Sequence, residues 1–171
     1  MARTQYLSAG RVRRMLTRIA YEIVERNRGA ESLELVGIRA RGTAVASALA
    51  EEMGRIEGRA FTVHELDVAA YRDDRDRSDP PEDHSRILAD VTGRDVILVD
   101  DVLFTGRTAR AALDALVHYG RPRTIQLAVL VDRGHREYPI QPDFVGRVIQ
   151  TKHKERVAVD IDDGFAVYVE E

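Results

Sequence analysis

Cysteine is absent from this sequence of 171 residues. Its absence excludes disulfide bonds, thiolate catalysis and zinc sites of the cysteine type. No stretch approaches the roughly 20 apolar residues that span a bilayer, and the opening MARTQYLSAGRVRRML lacks the apolar core of a signal peptide. Neither sign of charge dominates, because 26 basic and 29 acidic residues leave a net charge of −3. We therefore expect a cytoplasmic protein that has no affinity for a membrane and does not bind polyanions indiscriminately.

A Gly-Lys-Ser/Thr sequence is missing too, which excludes a Walker-type phosphate loop. The most informative run is VILVDDVLFTGRT, residues 96–108. Its first four residues form a continuous apolar stretch, typical of a strand covered on both faces of a parallel sheet. Asp100 and Asp101 follow at the carboxyl end of this strand, which is where open α/β sheets bind ligands.

The next four residues, Thr105-Gly106-Arg107-Thr108, combine hydroxyl groups with an unhindered backbone. They open a helix predicted over residues 107–119, whose first N–H groups favour a phosphate. The two aspartates cannot bind that phosphate. Their expected partners are ribose hydroxyls and a Mg²⁺ ion, which takes one or two carboxylates and completes its shell with water and substrate oxygens. The run therefore predicts a site for a metal-bound, phosphorylated sugar.

The rest of the chain alternates between helical and strand periods, with no internal repeat and no linker. This alternation predicts one α/β domain over residues 1–171, a doubly wound, mostly parallel sheet with a small antiparallel addition. Helices are predicted from the N-cap Ser8 to residue 27 and over residues 43–56, and strands over residues 33–38, 61–67, 125–131, 145–150, 157–161 and 165–169.

The loop GIRARG, residues 37–42, joins a predicted strand to a predicted helix. Arg39 and Arg41 place two cations beside backbone donors there, which suits a pyrophosphate. Arginines that are simply solvated are the alternative interpretation.

The segment YRDDRDRSDPPEDHSR, residues 71–86, is highly charged, and Pro80 and Pro81 prevent a helix. A flexible loop is predicted over about residues 72–88. It is interpreted either as a solvated loop or as a lid that keeps water from the reacting centre. In the lid hypothesis its ordered stem, which faces the substrate, is Tyr71, Arg72, Asp73 and Asp74.

Two further features suggest ligands. Val131, Asp132 and Arg133 lie at a third strand end, where backbone groups could bind the part of a ligand that lies next to the sugar. Arg11, Arg14 and Arg18 share one stripe of the first helix, so they could face an RNA backbone. A helix face that is merely solvated is the alternative for this stripe.

The run 96–108 resembles the signature of type I phosphoribosyltransferases that binds 5-phosphoribosyl-1-pyrophosphate (PRPP). Nearly the whole chain is similar to the PyrR family, bifunctional pyrimidine operon attenuators and uracil phosphoribosyltransferases. The resemblance rests on this run together with LTRIAYEIVERN, the VGI-R-RG loop, YRDD and IQLAVLVDRGHRE, in the same order. The resemblance implies Mg²⁺-dependent transfer from PRPP to uracil, giving UMP and pyrophosphate. It assigns the nucleotide site to Val99, Asp100, Asp101, Thr105, Gly106, Arg107 and Thr108 and the pyrophosphate site to Arg39, Ala40 and Arg41, with Asp100, Asp101, Arg39 and Arg41 as catalytic residues.

The resemblance also implies binding of an mRNA leader hairpin, promoted by UMP, and assembly into dimers or tetramers. The RNA-binding residues expected from the stripe and from the resemblance are Arg14, Thr17, Arg18, His135, Arg136 and Arg147. The chain departs from the usual family pattern in four places. Tyr21 stands where a His is common, Ala40 where a Thr is common and Gln141 where a basic residue is common, and GRVIQT replaces a GKNIPT-like stretch. Two alternatives stay open. One is an RNA-binding attenuator that keeps the PRPP site as a nucleotide sensor. The other is a purine or orotate phosphoribosyltransferase, which would share the signature but does not account for DRGHRE.

Overall fold

The structure is a computed structural model that describes residues 2–79 and 81–171. Its helices are α1 (Ala9–Arg26), α2 (Arg41–Glu57) and α3 (Arg107–Leu116), with short 3₁₀ turns at Ala69–Tyr71 and Val117–Tyr119. Its strands are β1 (Arg3–Leu7), β2 (Leu33–Ile38), β3 (Val63–Leu66), β4 (Asp95–Leu103), β5 (Thr124–Asp132), β6 (Phe144–Val148), β7 (Arg156–Asp160) and β8 (Ala166–Glu170).

Five strands form a parallel sheet in the order β3-β2-β4-β5-β6, and three form a small antiparallel sheet in the order β1-β8-β7. One hydrophobic core packs α1 and α2 against the parallel sheet, and a second packs α3 against it. The predicted doubly wound sheet with an antiparallel addition is confirmed. Helices on both faces explain why the central strand reads as an unbroken apolar run from Val96 to Val99.

The elements differ from the predicted ones in several places. β1 was not predicted, because four of its five residues are exposed and only Leu7 is buried. The helix predicted to start at Thr43 starts at Arg41, and the helix after the acidic pair changes to a 3₁₀ turn after Leu116. β4 continues to Leu103, so the two aspartates lie within the second half of the strand and not beyond it.

None of the helices in the described ranges is long and apolar enough to cross a bilayer.

At the start of β4, Asp95 is buried and accepts hydrogen bonds from Arg123, Ser32 (2.6 Å) and Thr124 (2.8 Å). The Arg123 guanidinium, helped by the two hydroxyls, holds the pKa of Asp95 well below its usual range. A lowered carboxyl pKa stabilises the folded chain above the unfolded pKa of about 3.9, and the contribution is lost as the pH falls. We predict that Asp95→Asn lowers the melting temperature at neutral pH and flattens its decline in acid, as followed by circular dichroism. A variant that keeps the wild-type pH profile would contradict this assignment.

Candidate active site

The site is built around the junction between β4 and α3. After Leu103 the chain turns through Gly106, which has a left-handed φ of 89°, and α3 begins at the next residue. A methyl group on Gly106 would also lie 3.1 Å from the Ile140 side chain, so the turn requires glycine for two reasons. A cavity of about 280 Å³ opens here, lined by Asp100, by residues 102–109 and by Arg72.

The two aspartates are oriented by the backbone that follows each of them. Asp100 Oδ1 accepts a hydrogen bond from the Asp101 N–H at 2.9 Å, and Asp101 Oδ1 accepts one from the Val102 N–H at 2.8 Å. Asp100 faces the cavity, and Asp101 is not among the residues that line it. Burial, together with the neighbouring Asp101 carboxylate, raises the pKa of Asp100 well above its ordinary value. Cations or hydroxyl donors beside the pair would relieve this repulsion.

The donor set fits a Mg²⁺ ion shared with a substrate. Adjacent carboxylates supply hard oxygen ligands, which Mg²⁺ takes one or two at a time. Within residues 2–79 and 81–171, no group of three or more His, Asp or Glu side chains could enclose a metal by itself. The remaining ligands would have to come from water and substrate oxygens.

Residues 105–108, which we call the cradle, form the loop expected for a phosphate. The Thr105 hydroxyl accepts from the Arg107 N–H at 3.3 Å, and the Thr105 carbonyl accepts from the N–H groups of Glu137 (2.9 Å) and Tyr138 (3.0 Å). The segment around Tyr138 therefore supports the cradle from behind. Sequence patterns gave no signal for this support, because the two segments are more than 30 residues apart.

The predicted pyrophosphate loop lies directly beside the acidic pair. A methyl group on Gly42 would lie 2.4 Å from the Val99 carbonyl oxygen and 3.2 Å from Asp100 Oδ1. The Arg39–Ala40 peptide bond in this loop is cis. Arg39 donates to the His84 carbonyl at 3.1 Å, and Arg41 donates to the Val159 carbonyl of β7.

At the carboxyl end of β5, Val131, Asp132 and Arg133 are buried. Despite burial, which acts in the opposite direction, the Arg136 guanidinium at 2.6 Å lowers the pKa of Asp132. Arg133 stacks 3.9 Å above the Phe104 ring and donates to the carbonyls of residues 152 and 153. The side chains of the two charged residues are thus engaged by the protein itself.

An aromatic cluster that the sequence did not reveal lies beside this strand end. The rings of Phe104, His135 and His153 lie 5.4 to 5.7 Å apart. Phe104 could have been noticed as the aromatic residue between the acidic pair and the cradle, whereas nothing in TKHK marks His153.

The charged segment 72–88 is attached at both ends. Near its start, Tyr71 packs on the ring of His118 and Asp73 accepts from Arg107. Near its end, the backbone of Arg86 exchanges two hydrogen bonds with the backbone of Glu65 in β3, and the Leu88 N–H donates to His64 Nδ1 at 3.0 Å. The proposed stem therefore lies against the cradle.

A groove of about 400 Å³ between α1 and β6 brings together four arginines, Arg11, Arg14, Arg18 and Arg147. Arg18 donates to the carbonyls of Val145 (3.2 Å) and Gly146 (2.6 Å) and pairs with Glu22, so it also fastens α1 to β6.

The other residues expected to bind RNA make contacts within the protein. Thr17 donates to Glu52, and His135 is hydrogen-bonded to the Thr151 carbonyl at 2.7 Å. Arg136 donates to Asp132 and to the carbonyls of Phe104 and Ile140. These contacts place His135 and Arg136 with the predicted base site.

Comparison with known proteins gives a consistent result. A family model described as a phosphoribosyl transferase domain matches residues 2–160. The "Bifunctional protein PyrR" sequences of Bacillus mycoides (strain KBAB4) and Bacillus anthracis (strain CDC 684 / NRRL 3495) are each 54% identical to this chain over 156 residues, 89% of this chain and 87% of the relative.

Solved structures agree in fold. The hypoxanthine phosphoribosyltransferase of Trypanosoma cruzi superposes with a TM-score of 0.75 at 17% identity, covering 98% of this chain and 91% of that one. That of Staphylococcus aureus gives 0.70 at 16% identity, covering 87% and 79%. At these identities the likeness concerns the fold alone.

Proposed function

The chain belongs to the PyrR family of phosphoribosyltransferases, and from that membership we propose that it transfers the phosphoribosyl group of PRPP to uracil, giving UMP and pyrophosphate. The observation that carries the proposal is the cavity in which Asp100 faces the Thr105–Thr108 cradle at the end of a central strand. Hydroxyl groups, helix N–H groups and a carboxylate pair are the donors and acceptors that a phosphorylated ribose requires.

In this proposal the protein works by positioning and electrostatics. The cradle holds the 5-phosphate, and Asp100 and Asp101 accept hydrogen bonds from the ribose hydroxyls. Their charge also stabilises C1 of the ribose as it becomes cationic. No protein nucleophile is required, because a ring nitrogen of uracil attacks C1 as the bond to pyrophosphate breaks. The proton on that nitrogen passes to water or to the departing pyrophosphate.

Arg39 and Arg41 are the proposed contacts of the departing pyrophosphate. Their carbonyl partners, on His84 and Val159, are weaker acceptors than phosphate oxygens, so a bound pyrophosphate would compete well for both guanidinium groups. A Mg²⁺ ion held by Asp100 and Asp101 with substrate oxygens would supply further neutralisation of the leaving group. The base is proposed to lie beside Val131, Asp132 and Arg133, with segment 72–88 as a lid.

The proposal is tested by supplying Mg²⁺, PRPP and one labelled base at a time, with separation of the nucleotide products. We expect UMP from uracil and no nucleotide from orotate, hypoxanthine or guanine. Turnover of a purine or of orotate in place of uracil would overturn it. Binding of UMP without any turnover would favour the nucleotide-sensor alternative.

We further propose that the protein acts in the cytoplasm as a dimer or tetramer and binds an mRNA leader hairpin, promoted by UMP. The arginine groove supports an RNA partner, since Arg11, Arg14 and Arg147 converge there from two elements. Light scattering during gel filtration tests the assembly, and a monomer would contradict it.

For the RNA half, we predict that Arg14→Ala and Arg147→Ala each weaken binding of the operon's own leader RNA roughly threefold to tenfold and reduce its salt dependence. Uracil turnover should stay at the wild-type level. Arg110→Ala on α3, whose partner is Asp114, is the matched control and should leave RNA affinity unchanged. The measurement is a gel-shift titration at several salt concentrations, and wild-type affinity in both groove variants would exclude this surface.

A further inference from the structure

Arg107 lies within the cradle, but its side chain is already engaged. Its guanidinium donates to Glu137 at 2.8 Å and to the Tyr138 hydroxyl at 2.8 Å, and it pairs with Asp73 as well. It also lies 4.6 Å from the centre of the Tyr138 ring. Two carboxylates neutralise this one cation. A phosphate that recruited the Arg107 side chain would have to displace them, so the Arg107 side chain is not available to the phosphate.

Arg72 is differently placed. It lines the cavity, and its Nη1 lies 3.5 Å from the Thr108 hydroxyl. Its Nε and Nη2 donate to the two oxygens of Asp74, at 3.0 Å and 2.9 Å. This two-point contact fixes the plane of the guanidinium and leaves Nη1 directed at the cradle.

We infer that Arg72 supplies the side-chain cation that binds the 5-phosphate, with Asp74 and Arg107 as positioning residues. Among the described residues that line the cavity, Arg72 and Arg107 are the two with cationic side chains. Asp73 connects them, because it joins the Arg72-bearing stem to Arg107 and Tyr138. The inference rests on the proposed function, because it assigns a residue to the phosphate of that substrate.

The test compares UMP with uridine, which lacks the phosphate, by calorimetric titration of wild type and Arg72→Gln. A charge-assisted hydrogen bond contributes about 1.5–3 kcal/mol. We therefore expect the Kd for UMP to rise roughly tenfold to hundredfold, while the Kd for uridine stays within twofold of wild type. An unchanged Kd for UMP, or an equal loss for uridine, would overturn the assignment.

Three variants separate phosphate binding from a general effect on the segment. Arg75→Gln makes the same charge change three residues further along, at a side chain that donates a hydrogen bond to the Asp76 carbonyl and does not line the cavity. It should bind UMP as wild type does. Arg72→Lys keeps the positive charge but cannot make the two-point contact of a guanidinium, so its affinity for UMP should fall only partially. Arg107→Gln should weaken UMP binding less than Arg72→Gln, and a larger loss would assign the phosphate to Arg107 instead.

Ribose 5-phosphate is the second probe, because it carries the phosphate without a base. If wild type binds ribose 5-phosphate but not UMP, the proposed specificity of the enzyme for uracil is wrong. In that case, weaker binding of ribose 5-phosphate by Arg72→Gln would still support the assignment of Arg72 to the phosphate. If wild type binds both and Arg72→Gln binds both equally well, the inference fails and the proposed function stands.

Discussion

Asp100→Asn should stabilise the folded chain while it reduces phosphoribosyl transfer roughly a hundredfold or more. Burial and the neighbouring Asp101 raise the pKa of Asp100, so the folded chain tolerates the ionised carboxylate poorly. A carboxyl whose pKa is raised on folding costs the fold stability as the pH rises above its unfolded pKa, and the cost is complete above its folded pKa. Asparagine removes that charge and keeps an oxygen that can accept the Asp101 N–H.

The stability difference has a defined pH dependence. It should vanish below the unfolded pKa of about 3.9, where wild-type Asp100 is neutral in both states, grow as the pH rises from there to the folded pKa, and stay constant above it. Thermal unfolding across this range and steady-state transfer at neutral pH measure the two effects. Asp101→Asn is the companion variant, for which we expect the same order of loss in transfer. Near-normal transfer in either variant would show that the acidic pair does not serve the reaction.

Gly42→Ala should lower the free energy of unfolding by about 1–3 kcal/mol and reduce transfer roughly tenfold or more. The added methyl group would lie 2.4 Å from the Val99 carbonyl oxygen, a backbone atom of the central strand that cannot rotate away. Either α2 or β4 must move, and the movement changes the spacing between the pyrophosphate loop and Asp100.

The matched control is Gly10→Ala in the first turn of α1. A methyl group there meets only the end of the flexible Arg14 side chain, at 4.0 Å, and alanine is the better helix former. Its stability should equal or exceed that of wild type, with unchanged transfer. Chemical denaturation of both variants provides the comparison. A Gly42→Ala variant as stable and as active as the control would mean that the close approach of α2 to β4 is not required.

Much of the fold could be predicted because buried apolar residues recur in the sequence at the spacing of a helix or a strand. Val96–Val99 and the apolar stripe Val12, Leu16, Ile19 and Ile23 both indicate their elements correctly. β1 left no such mark, since it contributes only one buried residue and is held by pairing with β8 at the far end of the chain.

The position of the candidate site could also be predicted, because acids and a glycine cradle at a strand end are local in sequence. The partners of its arginines could not. The Arg107 guanidinium is held by carboxylates 30 or more residues away in the sequence. Arg18 is held by backbone carbonyls of β6, and Arg136 by the carbonyls of Phe104 and Ile140. Such contacts exist only once the sheet order is fixed, which is also why Arg72 could not be assigned to the phosphate from its sequence context.

A crystal structure of the protein with UMP is the most direct test of the central claim, that the end of β4 and the cradle together bind a phosphorylated ribose. The account predicts the ribose hydroxyls within hydrogen-bond distance of Asp100 and Asp101, and the phosphate enclosed by residues 105–108. UMP bound at any other surface, with the acidic pair and the cradle making no contact to it, would contradict the account.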